Sequence, residues 1–281
     1  MKLIIESGAT KGDWRVVDDG GATVASFRSA GTNVSTMPMM TVNDIIRGLC
    51  EDIISAGYAI SEVYMYTAGV VTERVAEELS QLFRLELQCQ KVEICDDLTA
   101  AARAACGHQA GIVAILGTGS NSCQYDGEKI VKRVYSSGFI LGDEGSAATL
   151  GKLFIADFLK GLVPEDIAAD FRDRYPSDYT TIIANVYRSV GSPSGYLGGF
   201  APFIMEHYAN PYIQTLVDGN FRAFITRSLR QYDVERYPIG VVGGFGNALR
   251  EVFERVAQQE GLRIERFISN PIEELIKYHT I

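Results

Sequence analysis

Two short turns hold the residues best suited to chemistry. Ser7-Gly8-Ala9-Thr10-Lys11 follows the apolar run Leu3-Ile4-Ile5 and the carboxylate Glu6, and Gly117-Thr118-Gly119-Ser120 follows the apolar run Ile112 to Leu116. In each, a strand of buried-type residues gives way to small ones whose backbone N–H groups can close on an anion, usually a phosphate. Thr10 and Ser120 add hydroxyl donors, and Lys11 adds a positive charge. Small residues also favour ordinary turns, so one such turn says little. Two of them, about 110 residues apart in sequence, point to related half-domains gripping one polyphosphate.

Acidic residues stand near both turns. Glu6 ends a buried strand, where a carboxylate is costly unless it meets a cation. Beside a phosphate turn that cation would be Mg²⁺, held through water and one or two carboxylates; the alternative is a solvated strand end. Asp97 follows the strand-like Lys91 to Cys95 and opens an alanine-rich helix. Placed there, it can accept the proton of a hydroxyl that attacks a phosphoryl group. Either Asp96 or Asp97 can instead be a plain helix N-cap. Gly142-Asp143-Glu144-Gly145-Ser146 is an acidic turn suited to sugar hydroxyls or to ordering a metal, or else a helix start capped by Asp143 with Glu144 in its first turn. Gly243-Gly244-Phe245-Gly246 lies between a strand and a helix and lets a flat ring and ribose rest on backbone. It is only part of a dinucleotide fingerprint, because Leu249 occupies the third glycine position. No Walker A loop is present: five residues separate Gly145 from Gly151-Lys152, and Leu153 follows.

The elements that must carry these residues recur in order. Strands are expected at 2–6, 13–18 and 22–28, with Asp18-Asp19-Gly20-Gly21 as a hairpin signal. A helix over 41–56 has Thr41 and Asn43 as candidate caps. A strand at 63–67, a helix at 72–83, a strand at 91–95 and a helix to about Cys106 complete the set. Strands at 112–116, 121–125 and 129–134 restart it. A helix near Glu144, a mostly helical stretch over 150–235, a strand at 239–242, an amphipathic helix carrying Leu249, Val252, Phe253 and Val256, a strand at 263–267 and a helix at 271–279 close the chain. This is an internal duplication of an α/β unit. The break near Gly107–Gly111 is short, so a ligand cleft between halves that pack and hinge is expected.

Bulk properties narrow the classes. The 281 residues are 47% hydrophobic and 22% charged, as in soluble globular proteins. A net charge of −9 disfavours nucleic acid or an anionic membrane as the main partner. No export signal or membrane span is evident, and the five cysteines contain no C-x-x-C, so reduced thiols in the cytoplasm are expected. The three histidines are scattered without zinc spacing.

In this order, the phosphate turn, strand–Asp–helix, second phosphate turn and late Gly-Gly turn resemble the actin-like, sugar kinase and Hsp70 ATPase superfamily. More closely, the chain resembles the N-acetylglucosamine kinase group of the BadF/BadG/BcrA/BcrD ATPase family. The matching segments are SGATKGDW (7–14), GTN (31–33), DDLTAAARA (96–104), ILGTGSNS (115–122), GFILGDEGSAATLGK (138–152), VVGGFGNAL (241–249) and NPIEELIKYH (270–279). The pairing of GTGSNS with GDEGSA is the specific part. The resemblance implies a duplicated ribonuclease H-like (actin-like ATPase) α/β fold. Its two lobes are 1–108, joined by the C-terminal helix 270–281, and 109–269, with a helical insertion. It further implies ATP-dependent phosphorylation of an amino sugar, N-acetylglucosamine first, to its 6-phosphate. Asp97 would be the general base and Glu6 the Mg²⁺ position. Asn33, Thr118, Gly119, Asp143 and Glu144 would meet sugar. Ser7, Gly8, Thr10, Lys11, Gly117, Thr118, Gly119, Ser120, Gly243, Gly244 and Gly246 would meet ATP. Small-molecule partners and a homodimer whose lobes close on substrate are implied too. Three departures are visible: Glu6 stands where an aspartate is usual, Gly12 where Thr or Ser is usual, and Asp96 where an asparagine is usual. A non-catalytic sugar-binding regulator and an ATPase activator of a reductase or dehydratase are the other classes weighed.

Overall fold

The computed structural model describes residues 1–8, 11–35, 37–69, 72–188 and 192–280. The first strands are β1 (Lys2–Ser7), β2 (Lys11–Val17) and β3 (Thr23–Ala30), followed by α1 (Met39–Ser55), β4 (Glu62–Thr67), α2 (Glu73–Leu87), β5 (Lys91–Cys95) and α3 (Asp97–Cys106). The second half opens with β6 (Gly111–Leu116), β7 (Ser120–Tyr125) and β8 (Ile130–Val134). Seven helices follow: α4 (Gly138–Leu141), α5 (Ala147–Leu159), α6 (Glu165–Arg174), α7 (Tyr179–Tyr187), α8 (Pro193–Gly198), α9 (Ala201–Glu206) and α10 (Pro211–Arg227). The chain closes with β9 (Ile239–Val242), α11 (Gly244–Ala248), α12 (Arg250–Gln259), β10 (Ile264–Ile268) and α13 (Ile272–Thr280).

The two sheets have the same topology. One is ordered β3-β2-β1-β4-β5 and the other β8-β7-β6-β9-β10. In each, the first three strands form an antiparallel meander, the fourth pairs parallel to the first and the fifth parallel to the fourth. Parallel neighbours need crossover helices, and those helices cover the sheet faces. Contacts divide the chain into two compact units. One comprises Met1–Gln109, Gly127–Lys129 and the stretch from Asn270; the other comprises Ala110–Asp126 and Ile130–Ser269.

In the first unit, Leu3, Ile5, Val63 and Met65 pack with Ile46, Ile53, Leu79 and Phe83 of α1 and α2. Strand residues alternate faces, so Ile4, Glu6, Tyr64 and Tyr66 belong to the opposite face, where α13 packs on β1 and α3. In the second unit, Ile112, Ala114 and Leu116 of β6 join a core with the helices. An aromatic cluster centres on Phe171, 5.2 Å from the rings of Phe154 and Phe203. Full burial of such side chains contributes roughly 1.5–3 kcal/mol each.

Two helix starts differ from expectation. α1 begins at Met39, directly after Pro38, without a side-chain cap, so Thr41 and Asn43 lie inside it. The proline keeps the residue before it out of the helical region, which marks the boundary. α5 starts at Ala147 rather than near Glu144, capped by Ser146, whose hydroxyl accepts the Thr149 N–H at 3.1 Å. Asp143 and Gly145 have φ of 55° and 80°, which a right-handed helix cannot contain. The cap is therefore Ser146 and not Asp143. No helix among the described residues is long and apolar enough to cross a membrane.

Candidate functional site

In the first unit, the turn from β1 to β2 closes where the Gly8 N–H donates to the Lys11 carbonyl at 3.0 Å. Thr10, expected here, lies outside the described residues. The register places Glu6 opposite Asp13 and beside Tyr66. Asp13 is buried, with both carboxylate oxygens engaged by the Arg15 guanidinium. Burial, then the charge of Asp13, pushes the Glu6 carboxyl up to about 7; Lys11 opposes the shift and Asp97 adds to it. Two neighbouring acids thus act on Glu6, and a cation would relieve the strain on its charged form. Among the described residues no three acidic, His or Cys side chains are placed to hold a metal directly. Glu6 is the residue that would hold a Mg²⁺ through water beside a bound phosphate.

Ser7 takes a different place from the one expected. Its hydroxyl is fully buried and accepts from the Thr32 N–H (3.0 Å) and Thr32 Oγ1 (2.8 Å), and Thr32 in turn meets Thr67. The Ser7 side chain therefore braces the strand end and does not reach a phosphate. Gly12 has a steric reason: a Cβ there would collide with Ser29 Oγ, which also accepts the Trp14 indole N–H at 3.1 Å. In this chain Ser29 fills the space that a hydroxyl residue at 12 would need.

The Asn33 Oδ1 accepts the Ser35 N–H at 3.0 Å, which fixes the amide plane. At β5, the two aspartates separate. Asp96 is the N-cap, accepting the Thr99 N–H at 2.8 Å and the Thr99 hydroxyl at 2.5 Å, while Asp97 is the first residue of α3. The helix N-terminus favours its negative charge.

The second unit builds its site around the turn after β6. The Gly117 N–H donates to the Gly119 carbonyl at 2.9 Å. The carbonyls of Gly117 and Thr118 accept the N–H groups of Ala147 and Ala148, both at 3.0 Å. The N-terminus of α5 is thus occupied by the turn itself. Asp143 is buried, its N–H donates to Ser136 and its carbonyl accepts from Ser146. The Ser120 N–H donates weakly to its Oδ1 at 3.4 Å. Burial pushes this carboxyl up, against the pull of that N–H, the Ser136 side chain and Lys152. A Cβ on Gly119 would lie 3.0 Å from Asp143 Oδ2, so the glycine keeps the carboxylate edge against the turn. A carboxylate held this way, beside the exposed Thr118, can accept hydroxyl donors strongly in a low-dielectric setting. Glu144, expected to meet sugar, is instead ion-paired with Arg227 at 2.9 Å.

The late glycine turn divides by role. Gly243 has φ of 122°, and a Cβ there would lie 2.5 Å from the Leu116 carbonyl; one on Gly246 would press on Val241 and Leu116. These two let the turn sit on β6. Gly244 has nothing within 4 Å of such a Cβ and so leaves room for a flat ligand.

Sequence reasoning missed Asp13, Arg227 and Asn220. Asp13 had a signal: it stands a short turn after Glu6, and the antiparallel pairing of β1 with β2 sets it opposite. Arg227 and Asn220 reach the acidic turn from α10, roughly 75–83 residues along the chain, and no local pattern marks them.

The sequence profile of the BadF/BadG/BcrA/BcrD ATPase family matches residues 5–166. A comparison with curated protein sequences finds no match. Among solved structures, a candidate N-acetylglucosamine kinase from Porphyromonas gingivalis is 37% identical, covers 100% of this chain and 99% of its own, and superposes with a TM-score of 0.93. A second candidate N-acetylglucosamine kinase, from Chromobacterium violaceum, is 18% identical over 99% of this chain and 98% of its own, with a TM-score of 0.80. A ROK family glucokinase from Streptomyces griseus, solved with glucose and AMPPNP, is 18% identical over 99% and 97%, with a TM-score of 0.54. The last two establish likeness of fold alone.

Proposed function

The chain belongs to the BadF/BadG/BcrA/BcrD ATPase family, and on that premise we propose that it is an ATP-dependent sugar kinase acting on an amino sugar, N-acetylglucosamine first, at its 6-hydroxyl. The observation that carries this reading is the full-length, 37% identical likeness to a candidate N-acetylglucosamine kinase. The division between Asp96 and Asp97 supports it, because Asp96 is the N-cap and Asp97 opens α3, where the helix N-terminus favours its negative charge.

In this proposal the sugar is held by Asn33, Thr118, Gly119 and Asp143. Asp97 takes the proton of the hydroxyl as its oxygen attacks the γ-phosphorus, and ADP leaves. The N–H groups of Thr118 and Gly119, with Lys11, take the phosphates, and Gly244 admits the adenosine. Bound Mg²⁺, anchored through Glu6, would offset charge on the terminal phosphates. The Asp143 carboxylate orients the acceptor by its hydroxyls, and exclusion of water from that buried edge favours transfer over hydrolysis. Glu144 is left out, since its partner is Arg227.

The test is ADP release measured over a panel of amino sugars with Mg²⁺ and ATP. Turnover with N-acetylglucosamine above N-acetylmuramic acid and glucosamine is expected. Sugar binding by calorimetry without ADP release would replace the kinase with a regulator. ATP turnover indifferent to sugar would point to an ATPase activator.

A further inference from the structure

Within the second unit, one polar side chain in the core serves the acidic turn from far away in sequence. Asn220 of α10 is 2% exposed, surrounded by Val217, Phe221 and Phe224 of the same buried face. Its Oδ1 accepts the Gly145 N–H at 2.8 Å, and its Nδ2 donates to the Ser146 carbonyl at 3.1 Å. Both ends of the amide are thus used on the backbone of two successive residues. A buried amide is tolerated only when so satisfied. There is no slack around it, because a Cβ on Gly145 would lie 2.7 Å from Phe224.

The turn it holds is bonded in two directions. Ser146 donates back to the Asp143 carbonyl, and the next two N–H groups donate to the Gly117 and Thr118 carbonyls. Asp143 sits in the left-handed region, a strained conformation that persists only where the surroundings over-determine it. We propose that Asn220 is a positioning residue: through Gly145 and Ser146 it holds Asp143 in its left-handed conformation and so sets the enzyme's affinity for the acceptor sugar. This rests on the sugar kinase reading above. Asn220 touches no substrate; it acts on Asp143, and more distantly on the glycine turn.

The experiment compares wild type, Asn220→Ala and the milder Asn220→Ser with Ile213→Ala. Ile213 is a fully buried residue of the same helix and serves as a control for lost packing alone. Hydrogen exchange is measured on the ligand-free proteins, and KM for N-acetylglucosamine and for ATP on each. Either Asn220 variant should speed exchange over 142–148 by about tenfold relative to Ile213→Ala at matched melting temperature. It should raise the sugar KM about tenfold and the ATP KM by no more than about threefold. If Asn220→Ala does not fold, Asn220→Ser decides. Exchange over 142–148 equal to that of the packing control, or a uniform rise in both KM values, would overturn the inference. If wild type phosphorylated no sugar, the kinase reading would fall, while the ligand-free exchange comparison would still decide whether Asn220 holds the turn.

Discussion

Replacing Glu6 with Gln should stabilise the protein at neutral pH and weaken its catalysis. The Glu6 carboxyl is raised from 4.5 to about 7. A raised acid contributes stability that is complete below 4.5 and lost as pH rises through 7, because the folded state holds its proton longer than the unfolded chain. The gap of about 2.5 units corresponds to at most about 3 kcal/mol of destabilisation at pH 8. Glu6→Gln removes that term while keeping the shape, so at pH 8 it should melt above wild type, by up to about 5 °C, when Mg²⁺ is chelated. The wild-type pH profile alone would hide the effect. His279 is held down from 6.5 to about 3, first by burial and then by Arg103, Lys2, Lys91 and His108. Its contribution runs the other way, being complete above 6.5 and lost as pH falls toward 3. Between 4.5 and 6.5 the two slopes oppose and largely cancel, so the quantity to measure is the difference between Glu6→Gln and wild type by calorimetry from pH 4.5 to 8. That difference should be near zero at the acid end and grow through pH 7. A variant no more stable than wild type at pH 8, or a gain independent of pH, would refute the account of Glu6 as a carboxylate strained by burial and by Asp13.

Asp97→Asn should lower kcat by at least about 10²-fold in steady-state assays while the sugar KM changes little, as expected for loss of a general base. Gly243→Ala and Gly244→Ala should part company. The first should unfold the turn, seen as a large fall in melting temperature, whereas the second should leave melting nearly unchanged and raise the ATP KM several-fold. His279→Phe should flatten the acid side of the stability curve, so that melting temperature no longer falls between pH 6.5 and 3 as steeply as in wild type.

Much of the architecture was legible because strand and helix periods differ. The apolar runs at Leu3–Ile5 and Ile112–Leu116, each followed by small residues, marked the equivalent strands of two like-ordered sheets. Helix starts were less legible. Good N-cap residues at 41 and 43 and at Asp143 lost to Pro38 and to left-handed backbone at Asp143 and Gly145, effects that a propensity reading does not weigh. The site followed the same division. Asp96 and Asp97 are chemically interchangeable as caps until the backbone orients one carboxylate toward the Thr99 N–H. Ser7 carries a hydroxyl suited to phosphate, yet alternation along β1 turns it inward to Thr32 and Thr67. Glu144 lies in a sugar-like motif, but Arg227 claims it.

The sequence by itself determined the duplicated α/β units and the two turns of small residues that end their first strands, because these depend on local periodicity and on residue type within a few positions. Tertiary structure decided which of those side chains face outward, how strained Glu6 is, and what holds Asp143. Each of these depends on a residue supplied by another element, Asp13 across a strand pair and Asn220 and Arg227 from α10. Burial and partnership at such a distance are set by packing, which no local pattern in the chain records.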